Sequence, residues 1–182
     1  MALQLYLEGL GFRSIGRVLG FSHVAVYQWI KSFGSEIVKL GEEQREIEIV
    51  EIDEMLELIK NKKNQYWIWI AVDRYKKKFI NFVIGKRDEE TGKELWEKIE
   101  QSNFNIVATD YWRAYEGFIT KKIHCQSKAE TFTVEGYNSL FRHFLARMRR
   151  KTKCYSKSSL MLYYSVALLM AKWNGSLENI LN

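Results

Sequence analysis

Asp53, Asp110 and Glu135 are the residues of this 182-residue chain whose types and settings suggest chemistry, and that chemistry would be built around a hard divalent cation. Mg2+ prefers carboxylate oxygens, and phosphoryl-transfer sites hold it with a few carboxylates plus the phosphate oxygens of the substrate. Such a site needs acids that are distant in sequence and converge in space. From Gly136 to Leu177 there is no Asp or Glu, while Arg142, Arg147, Arg149, Arg150, Lys151, Lys153, Lys157 and Lys172 supply eight positive charges, more than the net +6 of the whole chain. A run of cations is ordinarily a solvated face. Placed directly after a candidate metal ligand, where the phosphates of a polyanion would lie, it is read as an electrostatic surface for duplex DNA. Tyr155, Ser156 and Ser158 add hydrogen-bonding groups for phosphate around Lys157.

Elements must position the three acids. Residues 46–52 alternate apolar and polar, as a half-buried strand requires, so Asp53 is expected at the C-terminal end of a strand over 46–53. Asp110 closes a shorter apolar run, 106–109, and precedes a helix-like segment. Glu135 opens a helix expected over 134–150, on which Leu140, Phe141, Phe144, Leu145 and Met148 recur at helical spacing. Asn138, Ser139 and Arg142 share the face of Glu135, since residues three, four and seven apart align. Composition and periodicity alone do not single these three out of 22 acidic residues, most of which must be ordinary surface.

The sharper reading comes from ordered blocks: Val50-Glu51-Ile52-Asp53-Glu54-Met55, Ala71-Val72-Asp73-Arg74-Tyr75, Phe82-Val83-Ile84-Gly85-Lys86-Arg87-Asp88, Thr109-Asp110-Tyr111-Trp112-Arg113-Ala114-Tyr115-Glu116, and Arg147-Met148-Arg149-Arg150-Lys151-Thr152. Their order resembles that of insertion-sequence-one-type (InsB-like) DDE transposases. Within the match, Glu135-Gly136-Tyr137-Asn138-Ser139-Leu140-Phe141-Arg142 looks like the segment that carries the family's catalytic glutamate with the Asn and Arg that follow it. The short gap between Asp110 and Glu135 is similar too. The resemblance implies an RNase H-like α/β fold and two Mg2+ ions, with Mn2+ as a substitute, held by Asp53, Asp110 and Glu135. One ion would activate water or a DNA 3′-hydroxyl, and the other would stabilise the leaving oxygen of an in-line displacement. Asp73 is the rival for the first position. In the resembled pattern it lies at a strand turn, where such a residue caps backbone amides.

A second DNA signal stands upstream. Residues 1–10 and 14–19 read as helices, Gly20-Phe21 as a tight turn, and residues 22–33 as a third helix capped by Ser22. Ile15, Val18, Leu19, Val26, Trp29 and Ile30 would form their shared core. The unit resembles the helix-turn-helix of recombinases and transposases, whose last helix enters the major groove. Ser22, His23, Tyr27, Gln28 and Lys31 would face the bases and phosphates.

The expected organisation is therefore a helix-turn-helix over 1–34, a connector over 35–45 that is partly helical in pattern, and an RNase H-like catalytic domain over 46–182. Its elements are strands 46–53, 66–73 and 78–84, helix 89–101, strand 105–109, helix 111–117, strand 120–124, and helices 134–150 and 156–173. They make a mixed five-stranded sheet flanked by helices. Tryptophans are read as core, except Trp112, which is two residues past Asp110 and could stack on an unpaired base.

With 47% hydrophobic and 14% aromatic residues, there is enough apolar side chain for a sizeable core. No segment reads as a membrane span or cleaved signal, so the cytoplasm is expected, and the resemblance implies a prokaryotic, nucleoid-associated setting. Cys125 and Cys154 are too few and too far apart for a zinc site, and no disulfide is expected. Members of the resembled family carry a cysteine-rich zinc-binding segment ahead of the helix-turn-helix, and this sequence starts at or inside the first helix. It is expected to be a downstream reading frame, a truncated copy or a fragment. The expected partners are double-stranded DNA, both the inverted repeats at transposon ends and the target, and further copies of the chain assembled on it. Two readings stand beside transposition: a metal-dependent nuclease of the same fold, and a DNA-binding regulator with a vestigial catalytic fold.

Overall fold

The alternation that begins at Glu46 continues further than expected. In the computed structural model, which describes residues 1–40, 46–61, 63–149, 152 and 154–180, β1 runs Glu46–Leu58, so Asp53 lies inside a strand and not at its end. Strands β2 (Gln65–Asp73), β3 (Lys78–Gly85), β4 (Asn103–Thr109) and β5 (His124–Gln126) complete a single sheet in the order β3-β2-β1-β4-β5. β2 pairs antiparallel with β3, whereas β1-β4 and β4-β5 are parallel. This is the mixed RNase H-like sheet that the resemblance implied.

The chain folds into two compact units, and their limits differ from the sequence boundaries. The sheet unit is Glu42–Glu57 with Lys63–Asn138; the helical unit is Met1–Gly41 with Leu58–Lys62 and Ser139–Asn182. In the sheet unit, α4 (Glu89–Ile99) is capped by Asp88, whose carboxylate accepts from the Thr91 amide and hydroxyl. The core joins Ile47, Val50, Ile52, Trp69, Ala71, Val83, Leu95, Ile99, Val107, Tyr115 and Ile119. The expected helix over 111–117 is a 3-10 turn, Arg113–Gly117, and the last strand, expected over 120–124, begins four residues later and ends two later. The Asp110 carboxylate explains the first change, because it accepts from the Trp112 amide and holds residues 110–112 in a non-helical turn.

In the helical unit, α1 (Ala2–Leu7), α2 (Phe12–Leu19) and α3 (His23–Ile37) reproduce the expected trihelical pattern. Ser22 caps α3 by accepting from the Ala25 amide, and Gly20 ends α2 in the left-handed conformation, φ 75°, that a side chain rarely adopts. Ile15, Val26 and Ile30 are buried, but Val18 is 64% exposed and takes no part in the core. Helix α6 (Ser159–Asn174) is apolar around most of its circumference, which is why it packs inside this unit against α3. Gly34 makes that approach possible: a Cβ there would stand 2.4 Å from the Cβ of Tyr164. Gly34→Ala must push α3 from α6, and chemical denaturation is expected to show about 1–3 kcal/mol lost stability, the usual cost of overpacking. An unchanged midpoint would mean that the helices separate freely.

The expected helix over 134–150 is shorter. α5 spans Phe132–Phe144, the backbone turns extended at Leu145, and a 3-10 turn follows at Ala146–Met148. The apolar spacing continued past the true end, with neither Gly nor Pro to mark it. Among the described residues no helix is long and apolar enough to cross a membrane, and Cys125 and Cys154 are free thiols.

Candidate active site

The parallel register of β1 and β4 leads towards two of the acids. Its last pair is Glu51 with Ala108, and continuing the same offset by two residues aligns Asp53 with Asp110. β4 stops at Thr109, so the place beside Asp53 is left open at the end of a strand. Glu135 stands in the first turn of α5, and Asn138, one turn later, donates from Nδ2 to Asp53 Oδ2 at 2.6 Å. That bond ties the helix carrying Glu135 to the strand carrying Asp53.

Electrostatics record the convergence. The Asp53 carboxyl is pushed from an ordinary 3.8 up to about 7, first by burial, then by Glu54, with Asp110 and Glu135 adding to the repulsion. Asp110 and Glu135 are thus each within electrostatic reach of Asp53. They are not in ligand contact: among the described residues no three His, Cys, Asp or Glu side chains are grouped closely enough to hold an ion. Each has a protein partner meanwhile, Asp110 the Trp112 amide at 2.9 Å and Glu135 the Thr131 hydroxyl at 3.3 Å. The residues nonetheless fit a divalent cation. The donors are hard oxygens, a nearby positive charge would relieve the repulsion on Asp53, and the buried Oδ1 of Asn138 has no hydrogen-bond partner. An orphaned acceptor costs about 1–3 kcal/mol and is met where a bound water or ligand supplies the donor.

Asp73 plays the other role considered for it. It is buried, and its Oδ1 accepts from the amides of Tyr75 and Lys76, both at 3.0 Å, closing the β2-β3 turn. Trp112 is not a free stacking platform. Its ring packs on Trp69 at 5.2 Å and carries the Arg87 guanidinium at 4.7 Å, leaving Tyr111, 67% exposed, as the open ring beside Asp110.

Two buried acids next to the site escaped the sequence reading. Glu54 is held by Arg87 (Nε to Oε1, 2.7 Å) and by the Tyr115 hydroxyl (to Oε2, 2.5 Å). Burial pushes its carboxyl up, while Tyr115 and Arg87 pull it down; the Tyr115 phenol is driven well above its ordinary range, chiefly by burial. Glu51 accepts from the Thr133 and Val134 amides and from Arg74. The only hint in the sequence was the density of acids in Glu51-Ile52-Asp53-Glu54, which a surface strand shows equally well.

The remaining candidates divide. His23 and Gln28 are exposed on α3, Lys31 is half-buried, Tyr27 is half-buried with its ring edge-on to Phe12 at 5.7 Å, and the Ser22 hydroxyl serves as the cap. Arg149 and Lys157 are exposed and Arg142 is half-buried. Arg147, expected among the DNA-facing cations, is turned inward. It is 8% exposed, donates from Nε to the Tyr6 hydroxyl at 2.7 Å, and lies over the Phe12 ring at 5.3 Å, because the chain has left the helix three residues before it. Ser156 is buried beside it and out of reach of a phosphate, whereas half-buried Ser158 caps α6 by accepting from the Met161 amide, which leaves its own proton to donate. Arg150, Lys151 and Lys153 lie outside the described residues.

The sequence profile of the IS1 transposase family matches residues 47–170, which span the strand of Asp53, the end of β4 and the whole of α5. The chain belongs to the IS1 transposase family. It is InsB-like: it is 30% identical over 110 residues to the insertion element iso-IS1n protein InsB of Shigella dysenteriae, covering 60% of this chain and 84% of that protein. Against the insertion element IS1 4 protein InsB of Escherichia coli (strain K12) it is 35% identical over 108 residues, 59% of this chain and 65% of the relative. The chain thus spans a little under two thirds of the length of that relative. A chain of the simian T-cell lymphotropic virus intasome, solved with the PP2A regulatory subunit B56 gamma, aligns at TM-score 0.46 and 15% identity, covering 93% of this chain and 65% of that one.

Proposed function

We propose that this transposase-family chain cuts and joins DNA at the ends of an insertion sequence, with Asp53, Asp110 and Glu135 holding two divalent cations, Mg2+ or Mn2+. The observation that supports it most is that Asp110 follows directly on β4, whose register with β1 continues towards Asp53, with Asp110 and Glu135 both near enough to add to the repulsion that lifts Asp53 to about 7. When bound, the cations would supply charge stabilisation at the phosphodiester oxygens and a nucleophile ionised near neutral pH.

The protein's own groups prepare the reaction. Asn138 fixes one oxygen of Asp53 and leaves the other for a ligand. The Trp112 amide holds one oxygen of Asp110 in the same way. Asp53, carrying a proton below about pH 7, must release it before it can serve as a ligand, so protons and cations compete for the pocket. On α3, His23, Gln28 and Lys31 offer donors to a major groove, with Tyr27 and Ser22 at its edge, and Arg142, Arg149 and Lys157 offer charge to phosphates. Further copies of the chain would assemble on the paired DNA ends.

Incubation with labelled terminal inverted-repeat DNA, a target plasmid and Mg2+ tests this. Covalently joined products are expected. Cut ends that are never joined would instead identify a nuclease, and binding that ignores metal and yields no cut would identify a regulator.

A further inference from the structure

We infer that Glu51 and its partner Arg74 are positioning residues for this site: together they fix the first turn of α5, and so Glu135, against the strand that carries Asp53. The inference rests on the proposed reading of Asp53, Asp110 and Glu135 as the cation-holding set.

Glu51 and Asp53 are two residues apart on β1 and therefore face the same side of the strand. The Glu51 side chain is wholly buried, 0% exposed. Its Oε2 accepts from the Thr133 amide at 2.9 Å and the Val134 amide at 3.0 Å. These are among the first amides of α5, which no carbonyl of the same helix can satisfy. Its Oε1 accepts from Arg74 Nε at 2.6 Å. Arg74 continues outward, donating from Nη1 to Glu130 Oε2 at 2.6 Å and from Nη2 to the Glu130 carbonyl. Thr131 follows: its carbonyl accepts from the Glu135 amide at 3.1 Å, and its hydroxyl proton is shared between the Lys128 carbonyl and Glu135 Oε1, both at 3.3 Å. The strap therefore runs from the Asp53 strand through Glu51 to the start of α5 and, through Arg74, to the residue preceding the one that orients Glu135.

A fully buried carboxylate is a poor way to gain stability, because desolvation offsets much of what its ion pair gains. A negative charge beside a cluster of acids is poorer still. Its arrangement makes sense as geometry, since both oxygens are used and the amides it holds lie one and two residues before Glu135. Groups that orient metal ligands from behind change metal affinity about 10–100-fold when removed.

The test measures Mn2+ binding by electron paramagnetic resonance without DNA, alongside end cleavage, in the whole chain. For Glu51→Ala the half-saturating Mn2+ is expected to rise about tenfold, and cleavage to fall about 100-fold, the scale of a misplaced reactive group. Glu51→Gln, which keeps an oxygen for the two amides, should recover most of the metal affinity. DNA binding in chelator should stay at the wild-type level in both. Ile99→Ala, a core truncation on α4 and so on neither the strands nor the helix of the strap, controls for stability and should leave half-saturation unchanged. Wild-type half-saturation in a folded Glu51→Ala overturns the inference, provided Asp53→Asn is inactive; an active Asp53→Asn overturns the underlying reading instead. If Glu51→Ala does not fold, Glu51→Asp decides: one methylene shorter, it should shift half-saturation the same way, and an unshifted value overturns the inference.

Discussion

Asp53→Asn, Asp110→Asn and Glu135→Gln are each expected to lower end cleavage by roughly four to six orders of magnitude, the scale seen when one member of a group acting as a unit is removed. Binding to end DNA in chelator should change little, because the groove-reading candidates lie on α3 and each substitution keeps the shape of its side chain. The physical reason is that a carboxamide is a neutral, weaker donor to a hard cation and keeps only one oxygen. Quantitative cleavage of a labelled end, with parallel binding curves, checks this. Wild-type cleavage by any one variant removes that residue from the set.

The second large effect is on stability and has a sign that depends on pH. The Asp53 carboxyl ionises at about 7 in the folded chain against an ordinary 3.8, because burial and the neighbouring acids oppose its charge. Below 3.8 it is neutral in both folded and unfolded chains and contributes nothing. Between 3.8 and about 7 the unfolded chain releases the proton and the folded chain does not, so folding stability declines as pH rises, and the loss is complete above about 7. In chelator the protein should therefore melt lower at pH 8 than at pH 5. Asp53→Asn should narrow that difference and raise the melting temperature at pH 8, since the new amide can donate to the orphaned Oδ1 of Asn138. Mg2+ should restore the wild type most at pH 8, and Asp53→Asn least. Thermal melts at the two pH values, with and without Mg2+, measure this; an equal pH dependence in wild type and variant would refute it. The variant that folds best would be the one that cannot cut, a trade expected where charge is gathered for function.

The parts of the fold written in local pattern were readable. Alternation marked β1, and the cap at Ser22 and the glycine at 20 framed α2 and α3. What escaped depended on partners far along the chain. Arg147 was placed with the DNA-facing cations because helical spacing of Leu145 and Met148 runs past the end of α5 unbroken; only the burial of Arg147 against Tyr6 and Phe12 shows otherwise. Glu51 looked like the polar half of an alternating strand, yet β1 is covered on both faces from Val50 to Ile52. Nothing local announces that two helix amides 82 and 83 residues away require its oxygen. Trp112 stands out for its closeness to Asp110, but two of the side chains that fill its surroundings, Trp69 and Arg87, come from well upstream in the chain.

The most direct measurement is a crystal structure of the wild-type chain soaked in Mn2+ at pH 8, with anomalous scattering locating the ions. Density bound by Asp53 and Asp110, with Glu135 turned away from the Thr131 hydroxyl to complete the oxygen set, is the expected result. Manganese bound elsewhere, or a pocket left without it at saturating concentration, would contradict the proposed site.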